Sequence, residues 1–123
     1  MITEGKYSIW FSTAIGNGAG IVELGPNGAL SGGDTTFSYG GNWEQDGERF
    51  RAAISARRTA PGPPGVFGMD EIDIIVAGYS DDGESASCTG SARQSPGLRL
   101  EVTLIRIRDE RLPQASMVPT SSQ

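Results

Sequence analysis

The chain has 123 residues, enough for one domain with a single core, and 18 of them are glycine, against an average share of about 7%. That excess points to turns and bends rather than long helices. A net charge of −5 with ten scattered Lys and Arg argues against direct nucleic-acid binding, which needs a clustered basic surface.

The N-terminal stretch MITEGKYSIWF has no long apolar h-region, so no signal peptide is expected. No apolar run approaches the ~18 residues of a membrane span. With one cysteine, Cys88, no disulfide framework forms within the chain and a reducing compartment is suitable. The expectation is a cytoplasmic protein without membrane contact.

Period-two alternation runs from end to end. Tyr7, Ile9 and Phe11 share one face, with Ser8, Trp10 and Ser12 on the other. Ala19–Leu24 and the short Ala29–Gly32 follow. Phe37, Tyr39, Gly41 and Trp43 then alternate with polar residues and glycine, and Phe50, Ala52, Ile54 and Ala56 alternate with Arg51, Ala53, Ser55 and Arg57. Ile72, Ile74 and Val76 mark a further strand, then Ser85–Ala92, then Leu98 to Leu104 at even positions. Asn17-Gly18, Asn27-Gly28, Asp46-Gly47 and Asp82-Gly83 predict tight hairpins, because Asn or Asp followed by Gly accepts positive φ. Ser95-Pro96-Gly97 predicts another reversal. The switch from Leu104 to Ile105 and Ile107 predicts a bulge.

Thr59–Met69 holds three prolines and three glycines and cannot continue a ladder. It predicts a long crossover loop with a short helical turn near Gly68–Glu71, and with Val66 and Phe67 capping one barrel end. Arg57-Arg58 and Arg106/Arg108 read as solvated strand ends. Strands joined this way are sequential antiparallel neighbours, and closure removes their edges. Glycines inside strands (Gly20, Gly40, Gly41, Gly78, Gly90) supply the bends. The expected fold is all-β: a small antiparallel up-and-down barrel of about eight strands, lipocalin-like, with one long Pro/Gly loop. It should occupy residues 1–111, with a disordered tail over 112–123.

Histidine is absent, which removes Ser-His-Asp and Cys-His systems and His-containing metal sites. Cys88 lies on a predicted strand and reads as a small buried hydrophobe. The acids of Asp70/Glu71/Asp73 and Asp81/Asp82/Glu84 sit at turns and match no calcium loop. The stretch LSGGDTTFSYGG resembles a phosphate loop only superficially. No helix follows it to present amides, and the P-loop lysine is missing. Gly32, Gly33 and Asp34 form a corner between strands, with Asp34 capping local amides. No catalytic residue, metal or cofactor is expected, so the chain reads as a non-enzyme.

The order Gly5-Lys6-Tyr7-Ser8-Ile9, Gly18-x-Gly20-Ile21-Val22, Leu30-x-Gly32-Gly33-Asp34 and Tyr39-x-Gly41 resembles the GrlR family, negative regulators of type III secretion genes. Gly90-x-Ala92 and Pro96-Gly97 extend the likeness to about Arg106. The resemblance implies a lipocalin-like barrel, often dimeric, with an apolar cavity, that sequesters a transcriptional activator. The family's acidic loop after the Tyr-x-Gly strand is reduced here to Asp46 and Glu48, in the run Gln45-Asp46-Gly47-Glu48. These two acids are the candidates for partner binding, through steering of a basic surface.

Trp10, opposite the Tyr7/Ile9/Phe11 face, is the candidate for a homodimer interface. Tyr7, Ile9, Phe11, Phe37, Tyr39, Trp43, Phe50, Ile54 and Leu100 are the candidate lining of the barrel interior, which in a second reading holds an apolar ligand.

Overall fold

Side chains that alternate along each strand separate cleanly into an inner and an outer set. The computed structural model describes residues 2–62, 65–80 and 82–107. Eight strands appear among the described residues, in chain order: β1 (Gly5–Thr13), β2 (Gly16–Leu24), β3 (Ala29–Gly33), β4 (Phe37–Asp46), β5 (Arg49–Arg58), β6 (Glu71–Tyr79), β7 (Ser85–Ala92) and β8 (Ser95–Arg106). Each pairs antiparallel with its sequence neighbours, and β8 returns to β1 from Tyr7↔Arg106 to Ser12↔Glu101. The result is a closed up-and-down barrel, as the alternation predicts. Its interior packs Ile9, Val22, Leu30, Phe50, Val76, Leu100 and Val102 into one core. No helix among the described residues is long and apolar enough to cross a membrane. The tail over 112–123, and the barrel boundary at 111, lie outside the described residues.

Several turns sit elsewhere than the dipeptides indicate. Asn17-Gly18 is strand, not turn: β1 and β2 reverse at Ala14-Ile15, where the Thr13 hydroxyl accepts the Ile15 N–H. Gly18 is needed opposite Phe11, because a Cβ there would lie 2.8 Å from the phenyl ring. Ser95-Pro96-Gly97 likewise belongs to β8, and the reversal is at Arg93-Gln94. That turn is fixed by Asp73, which accepts from the Arg93 guanidinium at 2.7 Å and the Gln94 amide at 3.1 Å. Pro96 is tolerated because β1 pairs with β8 only as far as Glu101, so no ladder bond is lost on that side.

Asn27-Gly28 does turn the chain, with Asn27 at φ 59°. The β4–β5 hairpin encloses Gly47-Glu48 between the paired Asp46 and Arg49, one residue later than expected. Asp82-Gly83 lies in a longer connection, with the Asp82 carboxylate accepting the Glu84 and Ser85 amides. The predicted bulge at Leu104–Ile105 is absent. Alternation continues, Ile105 points outward at 47% exposure, and the register irregularity falls instead between Gly90 and Ala92. The apolar pattern breaks because Arg106 takes the next inward position.

The two ends are closed differently. At the lower end, Ile2 is buried beneath the strands and its N–H donates to Gln45 at 2.9 Å. Arg106 clamps this plug: it donates to the Tyr7 hydroxyl (2.7 Å), the Thr3 hydroxyl (3.0 Å) and the Glu4 carbonyl (3.0 Å). Its guanidinium also lies 5.4 Å from the Tyr7 ring centre. At the upper end Val66 and Phe67, between β5 and β6, are buried, and the Thr13 hydroxyl donates to the Val66 carbonyl at 2.6 Å. The expected helical turn does not form; a single turn closes from Gly68 N–H to the Gly65 carbonyl.

Candidate functional site

The inward positions at the top of β2 are glycines, and that shapes the interior. Gly18 leaves room for the Phe11 ring, and a Cβ at Gly20 would lie 3.0 Å from the Tyr39 hydroxyl oxygen. Phe11 and Tyr39 consequently meet edge to face, with ring centres 6.4 Å apart. β3 is short. Among the described residues it pairs with β2 only over Ile21–Leu24, leaving Gly16–Gly20 without a ladder on that side. The corner Asp34–Thr36 lies where β3 gives out and β4 begins.

Below this rim lies a cavity of about 250 Å³, lined mainly by aliphatic and aromatic side chains of all the strands except β7. Ile9, Phe11, Phe37, Tyr39, Phe50, Ile54 and Leu100 line it, as the alternation predicts. Tyr7 and Trp43 do not. Tyr7 is fully buried in the lower plug, where its hydroxyl donates to the Thr3 carbonyl and accepts from Arg106. Trp43 stacks on Phe50 and donates its indole N–H to the Gly25 carbonyl at 3.1 Å. Both face inward, but at the level where the interior is already filled. Ala52 and Ala56, small inward residues of β5, leave the space that larger side chains would take.

Asp34 organises the rim. Its Oδ1 accepts the Thr36 N–H (2.9 Å), the Phe37 N–H (2.8 Å) and the Thr36 hydroxyl (3.2 Å), and its Oδ2 accepts the Tyr39 hydroxyl. Burial raises the carboxyl pKa, but the bonds from Tyr39, Thr36 and Phe37 outweigh it and hold the group below its ordinary value. Tyr39 is pushed the other way, by burial first and then by the carboxylate beside it. The corner expected from Gly32, Gly33 and Asp34 is therefore present, and Gly32 is essential to it: a Cβ there would lie 2.1 Å from the Ile21 carbonyl oxygen. What the sequence reading missed is that Asp34 also borders the cavity. The signal was available, since Tyr39 faces inward and follows Asp34 across a turn.

The other candidates lie away from this cavity. Asp46 and Glu48 are exposed on the β4–β5 hairpin at the lower, plugged end. Asp46 borders a separate hollow with Glu44, Arg49, Arg51 and Tyr79. Trp10 is on the outer wall, 55% exposed. Cys88 is buried in β7 and its thiol pKa is pushed up to about 11 by that burial, which suppresses the reactive thiolate.

No protein-family model matches the chain, and no curated protein matches its sequence. Similarity is found among solved structures. One is a redesigned β-barrel, 15% identical, covering 85% of this chain and 91% of its own, with a TM-score of 0.61. Another is the redesigned β-barrel mFAP1 bound to DFHBI, 13% identical, covering 84% of this chain and 94% of its own, also at 0.61. At such identities the likeness concerns the fold alone.

Proposed function

We propose that this protein is a non-catalytic binding barrel that takes a small, mostly apolar molecule into its upper cavity. The observation that carries this reading is the cavity, about 250 Å³ walled by apolar side chains and bordered by a few polar groups, the usual make-up of a ligand site. An apolar cavity of about 150 Å³ is enough to bind benzene, so this one suits a body roughly one ring larger. The redesigned barrel bound to DFHBI supports the reading that this kind of fold accommodates a small molecule. Native mass spectrometry of the protein purified gently from its source cell tests it. A retained small molecule, released on acid unfolding, is expected; a bare polypeptide mass, with no uptake of added indole, counts against the reading.

A second reading is favoured by the outer wall. Ser8 of β1 is flanked by Ile21 and Ile105, and Trp10 by Ala19 and Thr103. These outward residues form an uncharged patch in an acidic chain, with Trp10, Ile21 and Ile105 each about half exposed. Such patches mark protein contacts. In this reading the protein is a cytoplasmic regulator of the GrlR type, a homodimer that sequesters a transcriptional activator of type III secretion genes, with Asp46 and Glu48 steering a basic partner. Light scattering on Trp10→Ser tests the dimer: an unchanged mass sinks the interface. A pull-down with Asp46→Lys, Glu48→Lys beside the wild type tests the hairpin.

A further inference from the structure

We propose that the cavity selects amphiphiles carrying a cationic head, such as a protonated amine on an apolar body, and rejects carboxylate-headed molecules of the same body, through Asp34 at its rim. This rests on the ligand-binding reading above and specifies the chemistry of the ligand.

Three features of the rim lead there. First, Asp34 is the one charged side chain among the described residues lining the cavity, and no Lys or Arg among those residues forms an ion pair with it. Arg58, at the same end, is held by Asp70 at 2.8 Å and by the Ala60 and Gly62 carbonyls, with its guanidinium over the Phe37 ring.

Second, the donors nearest the carboxylate are already used on it. The Tyr39 and Thr36 hydroxyls both give their protons to Asp34, so each offers an incoming head only lone pairs. A carboxylate has about four acceptor positions, two per oxygen. Oδ1 takes three donors, whereas Oδ2 takes only Tyr39, which leaves Oδ2 able to accept one more. Around the carboxylate itself the rim thus offers acceptors rather than donors; Asn17 and Thr35, the remaining polar lining residues, are neutral and exposed.

Third, the Tyr39 ring reaches the carboxylate through its hydroxyl and meets Phe11 edge to face, both rings lining the cavity, and aromatic faces attract cations. A fixed anion next to aromatic rings above an apolar cavity complements a cation on an apolar body. It repels a fatty-acid head, which meets no Lys or Arg among the described residues lining the cavity.

Isothermal titration at pH 7 with octylamine, octanol and octanoate tests this on the wild-type protein. Octylamine should bind at least about tenfold more tightly than octanoate, the size of one charge-assisted hydrogen bond, and added salt should shrink the gap. Asp34→Asn should remove the amine's advantage over octanoate, with octanol as the neutral reference in each protein. Tyr39→Phe, which keeps the charge and frees Oδ2, should preserve that advantage, with folding of both variants checked by circular dichroism. Octanoate binding as tightly as octylamine, while octanol also binds, overturns the selectivity but leaves the ligand-binding reading intact. Failure of all three to bind overturns both.

Discussion

Replacing Ala52 by leucine gives opposite results depending on whether the interior has room. Ala52 is 5% exposed, points inward from β5 and lines the cavity. Leucine adds three carbons. Buried in existing space at about 0.8 kcal/mol per methylene they contribute roughly 2.4 kcal/mol, less about 0.5–1 kcal/mol for the immobilised rotamers. The net gain is about 1.5 kcal/mol, or a midpoint rise of roughly 5–10 °C for a domain near 100 residues. In a filled core the same change overpacks, costing about 1–3 kcal/mol. Urea unfolding followed by tryptophan fluorescence, with the m-value checked for constancy, reads the sign directly. Stabilisation accompanied by loss of indole binding is expected. Destabilisation by more than 1 kcal/mol would refute the existence of usable space beside β5.

Arg106→Met keeps the aliphatic stem but removes the donors to Tyr7, Thr3 and Glu4; a loss of about 2 kcal/mol is expected by urea unfolding, with faster amide exchange over residues 2–4. Gly32→Ala should cost more than about 3 kcal/mol, because the new Cβ meets the backbone of Ile21 and Val22. Gly47→Ala, strained only by its φ of 63° with open space around it, should cost about 1 kcal/mol. On acidification, the Asp34 carboxyl, held below its ordinary value, contributes stability that is present above the unfolded-state pKa of about 3.9. That stability is lost as pH falls through the lower folded value. Asp34→Asn should therefore flatten the stability profile below about pH 5, and an unaltered slope would contradict the role given to the corner.

The barrel was legible because its alternation is redundant. Ile9, Val22, Phe50 and Leu100 are each backed by neighbours two residues away, and a slip of one residue would expose a whole strand face. The turns were less legible, because glycine serves two purposes. At Asn27-Gly28 it supplies positive φ, while at Asn17-Gly18 it makes way for Phe11, and the local dipeptide looks the same. Pro96-Gly97 misled for a related reason: a proline is harmless in a strand where no neighbour asks for its N–H.

In the site, the lining followed from parity, but depth did not. Tyr7 and Trp43 have the right parity and the wrong level, since nothing local tells that Ile2 and Arg106 fill the lower end. Asp34 read as a corner residue because its bonds to Thr36 and Phe37 are local. Its position over the cavity depends on β3 ending early, a property of the closed sheet.

The most direct measurement is a methyl NMR titration of the full chain with indole. Saturable shifts are expected at Val22, Ile54 and Val102, which line the cavity, while the outer-wall Ile75 and Ile105 stay in place. Shifts confined to Ile75 and Ile105, or none that saturate, would contradict a ligand-binding interior.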